Sequence, residues 1–585
     1  MSVLSRFGAS LLVAAVLMSG AATPASGQPA PAPPATPSPA PTQDAPQPTP
    51  PPPPPTGPVR QLSIEQAVEL ALQQNLGIQA ERLNPRLQDE TIAQVESNYT
   101  ANLQSGLFSR SQTQPPNSFL SGGEQQINTD NVGVNAAFSK LFPWGTEAIV
   151  SYDSGRSETN NFFTNFNPQL SGNVDVQVTQ PLLRNFRYDT VKQQLVSSRA
   201  NREIADVDLQ QTMASTSRTV RNAYWEYVYA ISSLEVARQT LELAQESLRN
   251  TRSRVEIGTL APIDIVQAES EVASREEAVI LAEAAIGQAE DRLRSLIFDP
   301  STPDFWEMSI QPTDMAPFLQ QTVDVSGAVA RAMADRTDLI NARKRLGVTD
   351  YNLKYWRNQT LPGLNLQFDY NSTGIGGTQF IRDQTSDVFP PPVIGEFVRS
   401  YGDVMSDVFR NQFPTWQLAL NVTYPIGYSN AEASLARTQI EKTQSELQLR
   451  QLELDVATQV RDAARQLVAN AKRVEATRAA RVLAERRLEA EEKKFAAGMS
   501  TSFEVFQAQR DLALARNNEL RAVLDYNQSQ VDFDTVQVAP LGGAGASFPT
   551  TLGGAVGAAI GGAASGTTGA AGGGGGAGGG GGPQP

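Results

Sequence analysis

The chain has no cysteine and no histidine among its 585 residues. That double absence removes disulfides, thiol nucleophiles, Cys/His zinc sites and Ser-His-Asp hydrolysis at once. Without cysteine there is also no lipobox, and so no N-terminal lipid anchor. Positive charge is in deficit: the formal net charge is -14, which opposes binding to nucleic acid. Beyond the N-terminal segment no apolar run is long enough for a transmembrane helix. A chain of this kind can cross a membrane only as a closed β-barrel, in which the backbone satisfies its own hydrogen bonds. A phosphate-cradling P-loop is missing too, and acidic pairs such as Glu276/Glu277 and Glu491/Glu492 lie on charge-rich stretches that read as solvated helix faces. The residues offer no catalytic constellation and imply no cofactor and no metal.

What is present starts with a leader-like N-terminus. Arg6 precedes a short apolar core of Leu11, Leu12, Val13, Val16, Leu17 and Met18, and small residues Ala25 and Gly27 follow, so residues 1–27 read as a signal peptide. Residues 28–60, with unbroken proline from Pro50 to Pro55, read as an extended linker that cannot bury a core. Residues 541–585 are mostly Gly and Ala and read as a flexible tail.

The body between them repeats, as 61–319 and 320–540. Gly258, Asp264, Gln267 and Ala268 are answered 240 residues later by Gly498, Glu504, Gln507 and Ala508. Upstream the spacing becomes 244, where Val174, Val176, Val178 and Pro181 are answered by Leu418, Leu420, Val422 and Pro425. Further upstream it becomes 261, where Ala67, Ala71 and Ile78 are answered by Ala328, Ala332 and Leu339. Preserved order with changing offset indicates an internal duplication whose insertions fall between elements.

Each repeat carries the same expected elements: a helix (63–98, then 326–358), strands (within 101–181, then 363–425), and two long helices. The long helices run over 190–257 and 263–297, then 430–496 and 502–536. A helix of that first length would extend on the order of 100 Å, which implies a coiled coil or helical barrel. Val220, Tyr227, Leu234, Leu241, Leu248 and Val255 recur at sevens, as do Ile265, Val272, Val279, Ile286 and Leu293 on the partner. In the second repeat Val460, Leu467, Val474, Leu488 and Phe495 keep the pattern and Arg481 breaks it. The strand segments alternate apolar and polar, as at Val174, Val176, Val178 and at Leu418, Leu420, Val422. Such alternation suits a sheet on a core and equally a membrane barrel with lipid outside and water inside. Pro181 and Pro425 mark the corners between strand and long helix. Alternation at 131–138 and 145–152 suggests an additional hairpin that either extends the barrel or projects from it.

Between the long helices, Gly258 and Gly498 sit where a helix must stop, and glycine accepts the left-handed conformation of a helix C-terminus. Pro262 suits a first turn, Thr501 and Glu504 have capping-box spacing, and Asp264 holds the equivalent first-turn position. On local sequence alone these residues turn a helical hairpin.

Over residues 61–538 the chain resembles the outer-membrane efflux protein family, the family of TolC. The carriers are the two-fold repeat, Ala67-Val-Glu-Leu-Ala71-Leu-Gln-Gln-Asn75, Leu361-Pro362-Gly363-Leu364 entering a strand, Gln180-Pro181-Leu182-Leu183, Tyr424-Pro425-Ile426, and both Gly motifs. The resemblance implies a fold that is mainly α with membrane β. It implies a homotrimer in which each chain lends about four strands to an outer-membrane β-barrel, in contact with lipid, and long helices to a periplasmic α-barrel. It makes the tips, Gly258, Thr259 and Leu260 with Gly498, Met499, Ser500 and Thr501, the closed entrance and the docking surface for a periplasmic adaptor protein bound to an inner-membrane transporter. Glu504 matches an acid of the family's entrance ring, so a threefold Glu504 ring that attracts cations is implied, with Asp264 the other candidate acid. The second ring acid is Gln507 here, and the family's latch Arg and Tyr are Ser500 and Phe495, so that latch does not carry over. A rival reading, a secreted or surface coiled-coil adhesin or structural fibre, shares the leader and the heptads but does not account for strands that interrupt the helices twice. A passive lumen does not encode its substrate.

Overall fold

The computed structural model describes residues 59–116, 125–315, 318–319, 322–383, 385–386, 388 and 391–542. The expected signal peptide, nearly all of the Pro-rich linker and nearly all of the Gly/Ala tail lie outside the described residues. The first repeat contains β1 (Val59–Leu62), α1 (Ile64–Gln74), α2 (Leu76–Glu81), α3 (Leu83–Glu96), β2 (Asn102–Gln114), β3 (Ile127–Leu141), β4 (Glu147–Thr159), β5 (Phe166–Pro181), α4 (Thr190–Glu256), α5 (Ile263–Ile297) and β6 (Ser309–Pro312). The second contains α6 (Val325–Asp335), α7 (Thr337–Gln359), β7 (Gly363–Arg382), β8 (Val393–Arg399), α8 (Tyr401–Phe409), β9 (Pro414–Thr423), α9 (Asn430–Ala496) and α10 (Ser502–Val536). The linker expected to reach residue 60 ends earlier, because Val59–Leu62 pairs in parallel with Ser309–Pro312.

The long helices begin where the sequence places them and end there too, except that α4 stops one residue earlier, at Glu256. Asp189 caps α4 through the Lys192 amide, and Ser429 closes a capping box with Glu432 at the start of α9. Helices α4 and α9 are each 67 residues long, about 100 Å at 1.5 Å per residue. Toward the tips α5, α4, α10 and α9 lie side by side in that order; toward the sheet the order is α3, α4, α7, α9. The heptad residues Val220, Tyr227, Val460, Leu467, Val474 and Leu488 are buried between them. Arg481, which breaks the stripe, is placed by ion pairs to Glu519 and Glu485.

Two equivalent cores sit midway along the helices. One gathers Ala67 and Ala71 of α1 against Val220, Tyr224 and Tyr227 of α4 and Leu293 and Ile297 of α5. Its counterpart gathers Ala328, Ala332 and Leu339 against Val456, Val460, Leu467 and Tyr526. All six residues matched at the 261 spacing are fully buried. The single helix expected at the head of each repeat is broken. Asn75 adopts an extended conformation and its side chain accepts from the Gly77 and Ile78 amides, restarting the chain as α2. Arg336, 261 residues later, breaks α6 from α7. Its guanidinium is 1 % exposed and lies 3.1 Å from both Asp338 carboxylate oxygens, 2.5 Å from Gln459 Oε1 and 3.4 Å from the Val536 carbonyl. Burial lowers its pKa against the opposing pull of Asp338.

Among the described residues the sheet has seven strands where about four were expected. The reason is local: β3 and β4 insert between β2 and β5, and β8 with α8 inserts between β7 and β9. Six strands run side by side as β2-β3-β4-β5-β7-β9, all antiparallel, while β8 shares the outer edge of β7 beyond the end of β9. The hairpin left open by the sequence therefore belongs to the sheet. Its turn, Phe142–Thr146, sits at the helix end, where the Thr146 hydroxyl meets Gln180. Helix α8 lies on one face of β5 and β7; a Cβ on Gly374 would come within 2.4 Å of the Val404 carbonyl, so glycine is what lets the helix approach.

Candidate functional site

At the hairpin tips both long helices end in the same way. Beyond the cap residue Ile257, Gly258 takes φ 79°, its amide bonds to the Val255 carbonyl (3.0 Å) and the Thr259 amide bonds to Arg254 (2.9 Å). Beyond Ala497, Gly498 takes φ 74°, with the matching bonds Gly498 to Phe495 (3.1 Å) and Met499 to Lys494 (2.9 Å). These are Schellman closures, and a Cβ on either glycine would meet nothing within 4 Å, so backbone conformation alone selects glycine. Gly498→Ala should therefore cost about 1 kcal/mol, the left-handed penalty of an L-residue. Gly287→Ala, mid-α5 with the same open surroundings, should instead stabilise by roughly 0.5–1 kcal/mol. Denaturant melts of the two purified variants check the opposite signs.

The two tips are clipped together within one chain. Ser502 Oγ donates to Asp264 Oδ1 at 2.7 Å, and Asp264 Oδ2 accepts from the Ala261 amide at 3.2 Å. Arg254 at the end of α4 donates to the Phe495 carbonyl (3.2 Å) and stacks 4.4 Å from the Phe495 ring, satisfying the end of α9. Ser500 donates to Glu491 at 3.1 Å; Lys494 and that hydroxyl hold the Glu491 carboxyl below its usual pKa. One layer above, Glu271 is buried between Arg275 (2.8 Å) and Arg510 (3.4 Å). Burial, with Glu246 and Glu489 adding, pushes the Glu492 carboxyl up.

The structure separates the two candidate acids. Asp264 is tied into the clip, whereas Glu504 is exposed and has no ion-pair partner among the described residues. The capping box expected of Thr501 and Glu504 does not form: Thr501 holds the N-cap position, but its hydroxyl bonds none of the first-turn amides. The adjacent Ser502 makes the polar contact across the tips instead. Pro262 stands at the N-cap of α5, one place before the helix. Sequence reasoning missed the Arg254–Phe495 and Ser502–Asp264 contacts; the only local hint was a basic residue in the last turn of α4. Met499 (75 % exposed) and Ile257 (74 %) leave apolar side chains bare at the tips.

At the other end the six-strand sheet sorts its side chains by face. Register places Leu103, Phe138, Val150, Val176, Tyr370 and Trp416 in one row across β2, β3, β4, β5, β7 and β9. The next row, on the opposite face, is Gln104, Ala137, Ser151, Asp175, Asn371 and Thr415. Trp416, Leu418, Leu420 and Val422 of β9 remain exposed on the apolar face. Pro181 ends β5 in a buried position; Pro425 follows β9 and is exposed. No helix among the described residues is long and apolar enough to cross a membrane, and no group of acidic residues there could hold a metal ion.

Among solved structures the chain is similar to CusC (14 % identity, TM-score 0.56, covering 82 % of this chain and 92 % of that one). It is similar also to the outer-membrane channel CmeC of Campylobacter jejuni (13 %, 0.55, 81 % and 85 %) and the open MtrE outer-membrane channel of Neisseria gonorrhoeae (16 %, 0.53, 82 % and 89 %). At such identities these likenesses concern the fold. No curated protein sequence matches the chain. The family model described as outer membrane efflux protein matches residues 147–297 and 328–536, which together make up more than half of the chain. The chain thus belongs to the outer membrane efflux protein family and is an outer-membrane channel.

Proposed function

We propose that this channel is the passive exit duct of a tripartite efflux or type I secretion assembly. Three copies form one β-barrel in outer-membrane lipid and one helical tunnel through the periplasm, and solutes pass without chemistry. The observation that carries this reading is a sheet apolar on one face and polar on the other, joined to helical hairpins about 100 Å long. Helix α9 keeps an uncovered apolar stripe at sevens, Ile440, Leu447 and Leu454. The opposite edge of the helical layer offers Leu83 and Leu87 on α3 and Val266 and Ile280 on α5. Neighbouring copies would bury the two edges against each other as a coiled-coil seam.

The bare Met499 and Ile257, with Thr259, Leu260, Ser500 and Thr501 around them, form the surface on which a periplasmic adaptor docks. The adaptor would link the duct to an inner-membrane transporter that supplies the energy. Glu504, unpaired and exposed, supplies a threefold acidic ring at the entrance, while Asp264 serves the clip. The adhesin reading is less favoured, since strands of one sheet come from both repeats and interrupt the helices twice.

Single-channel recording in planar bilayers tests both the duct and the ring. Trimers should conduct and monomers should not. Glu504→Gln should lower cation selectivity and weaken block by divalent cations by roughly tenfold, on the scale of ~1 kcal/mol per unit-charge pair at 4 Å in water. Conductance by monomers would sink the duct, and unchanged selectivity and block would sink the ring.

A further inference from the structure

We infer that three copies of this chain close a barrel of eighteen strands, six from each, with β2 of one copy hydrogen-bonded to β9 of the next. The inference rests on the trimeric reading above and goes beyond it in wall composition and width. The inserted strands β3 and β4 are wall and not appendage. They pair with each other from Thr129 to Leu141, while β3 pairs with the whole of β2 and β4 with β5 from Ser157 to Glu147. The apolar row from Leu103 to Trp416 and the polar row from Gln104 to Thr415 both run through them without a change of face.

The duplication identifies the pair as an insertion. At the 261 spacing Asn102, the first residue of β2, answers Gly363, the first of β7; at the 244 spacing β5 answers β9. In the second repeat those counterparts pair directly. In the first they are parted by two strands. The family match opens at Glu147, the first residue of β4, and leaves β2 and β3 outside. A narrower alternative is therefore definite: β4, β5, β7 and β9 alone would form a twelve-stranded wall.

The edges favour the wider one. Unpaired strand edges are not tolerated in hydrocarbon, and six strands fall short of the roughly eight that the smallest membrane barrels use. Both free edges carry exposed apolar residues, Leu103 and Leu107 on β2 and Leu418 and Leu420 on β9. β2 runs away from the helices and β9 toward them, so the two meet antiparallel, as every other pair in the sheet does. At ~4.8 Å between strands and a tilt of about 40°, eighteen strands span about 36 Å and twelve about 24 Å.

A chain without cysteine gives a clean background for crosslinking. Gln104→Cys on β2 would be combined in turn with Thr415→Cys, Gln417→Cys or Ala419→Cys on β9, all on the polar face. Ser151→Cys on β4 would be combined with the same three. Each full-length variant is purified as a heat-modifiable trimer and then oxidised. The expected result is a covalent trimer from at least one Gln104→Cys pair and none from the Ser151→Cys pairs, with eighteen strands counted in a cryo-EM map of the unmodified protein. Crosslinks from Ser151→Cys alone, or twelve strands in the map, would overturn the inference and leave the trimeric duct intact. Trimers that crosslink through neither set would also overturn it. An unmodified protein that purifies as a monomer would remove the trimeric reading itself.

Discussion

Val176→Arg should destabilise the membrane-inserted assembly by about 3 kcal/mol per chain, the cost of a cation well inside the lipid face, if the apolar face of the sheet meets lipid as proposed. Val176 lies in the middle of the apolar row, flanked by Val150 on β4 and Tyr370 on β7. One residue along, Gln177→Arg places the same charge on the polar face, between Ile149 and Asp369, where water solvates it and an acid lies opposite. That variant should change stability by less than ~1 kcal/mol. The comparison holds chain position and side chain nearly constant and changes only the face. The fraction of each variant recovered from outer membrane as heat-modifiable trimer, and its urea midpoint in liposomes, measure the difference. Equal tolerance of both would mean that the apolar face meets something other than lipid.

The second large effect lies far from any membrane. Arg336→Met should cost about 3 kcal/mol, because it strips the half-buried Asp338 carboxylate of its partner and not because a strong bond is lost. Asp338 would be left facing a methionine, Gln459 would lose its contact, and the Val536 carbonyl would lose a donor. Removing the charge as well, in Arg336→Met with Asp338→Leu, should recover a good part of the loss. Denaturant unfolding of the two variants beside the unmodified chain decides the point. If the double variant is no better than the single, the cost comes from packing between α6, α9 and α10.

Much of this molecule could be read before its structure, for reasons tied to particular residues. Heptads such as Val220 to Val255 persist over so many turns that no other element could hold them, and glycine at 258 and 498 stands where only a left-handed residue can close the helix. Strand faces were legible at Val174, Val176 and Val178 because alternation is strict there. The broken first helix was not, since Ala67, Ala71 and Ile78 keep their burial pattern straight across Asn75, and a side-chain cap with no apolar signature makes the break. The short helix α8 escaped because its neighbours Ile394, Phe397 and Val398 give no single period. At the tips the pattern located the turn but not its chemistry. The clip joins Ser502 to Asp264 and Arg254 to Phe495 across 238 and 241 residues, a distance at which spacing within one segment carries no information. The expected capping box failed for the converse reason: Thr501 and Glu504 have the right interval, and the contact went to the residue between them.

The β3–β4 pair also obeys a rule of parity. A single extra strand would reverse the direction of everything after it and deliver α4 to the opposite end of the sheet, away from α9. Two strands return the chain to the side it left, with Pro181 still beside the helix end of the sheet and the apolar side chains still on one face. If three identical chains share the wall, as proposed above, it can gain or lose strands only in sixes, and its bore can change only in large steps. In such a wall, fine adjustment of what passes would be left to side chains of the polar face, such as Asp175 and Asn371, and to the tips.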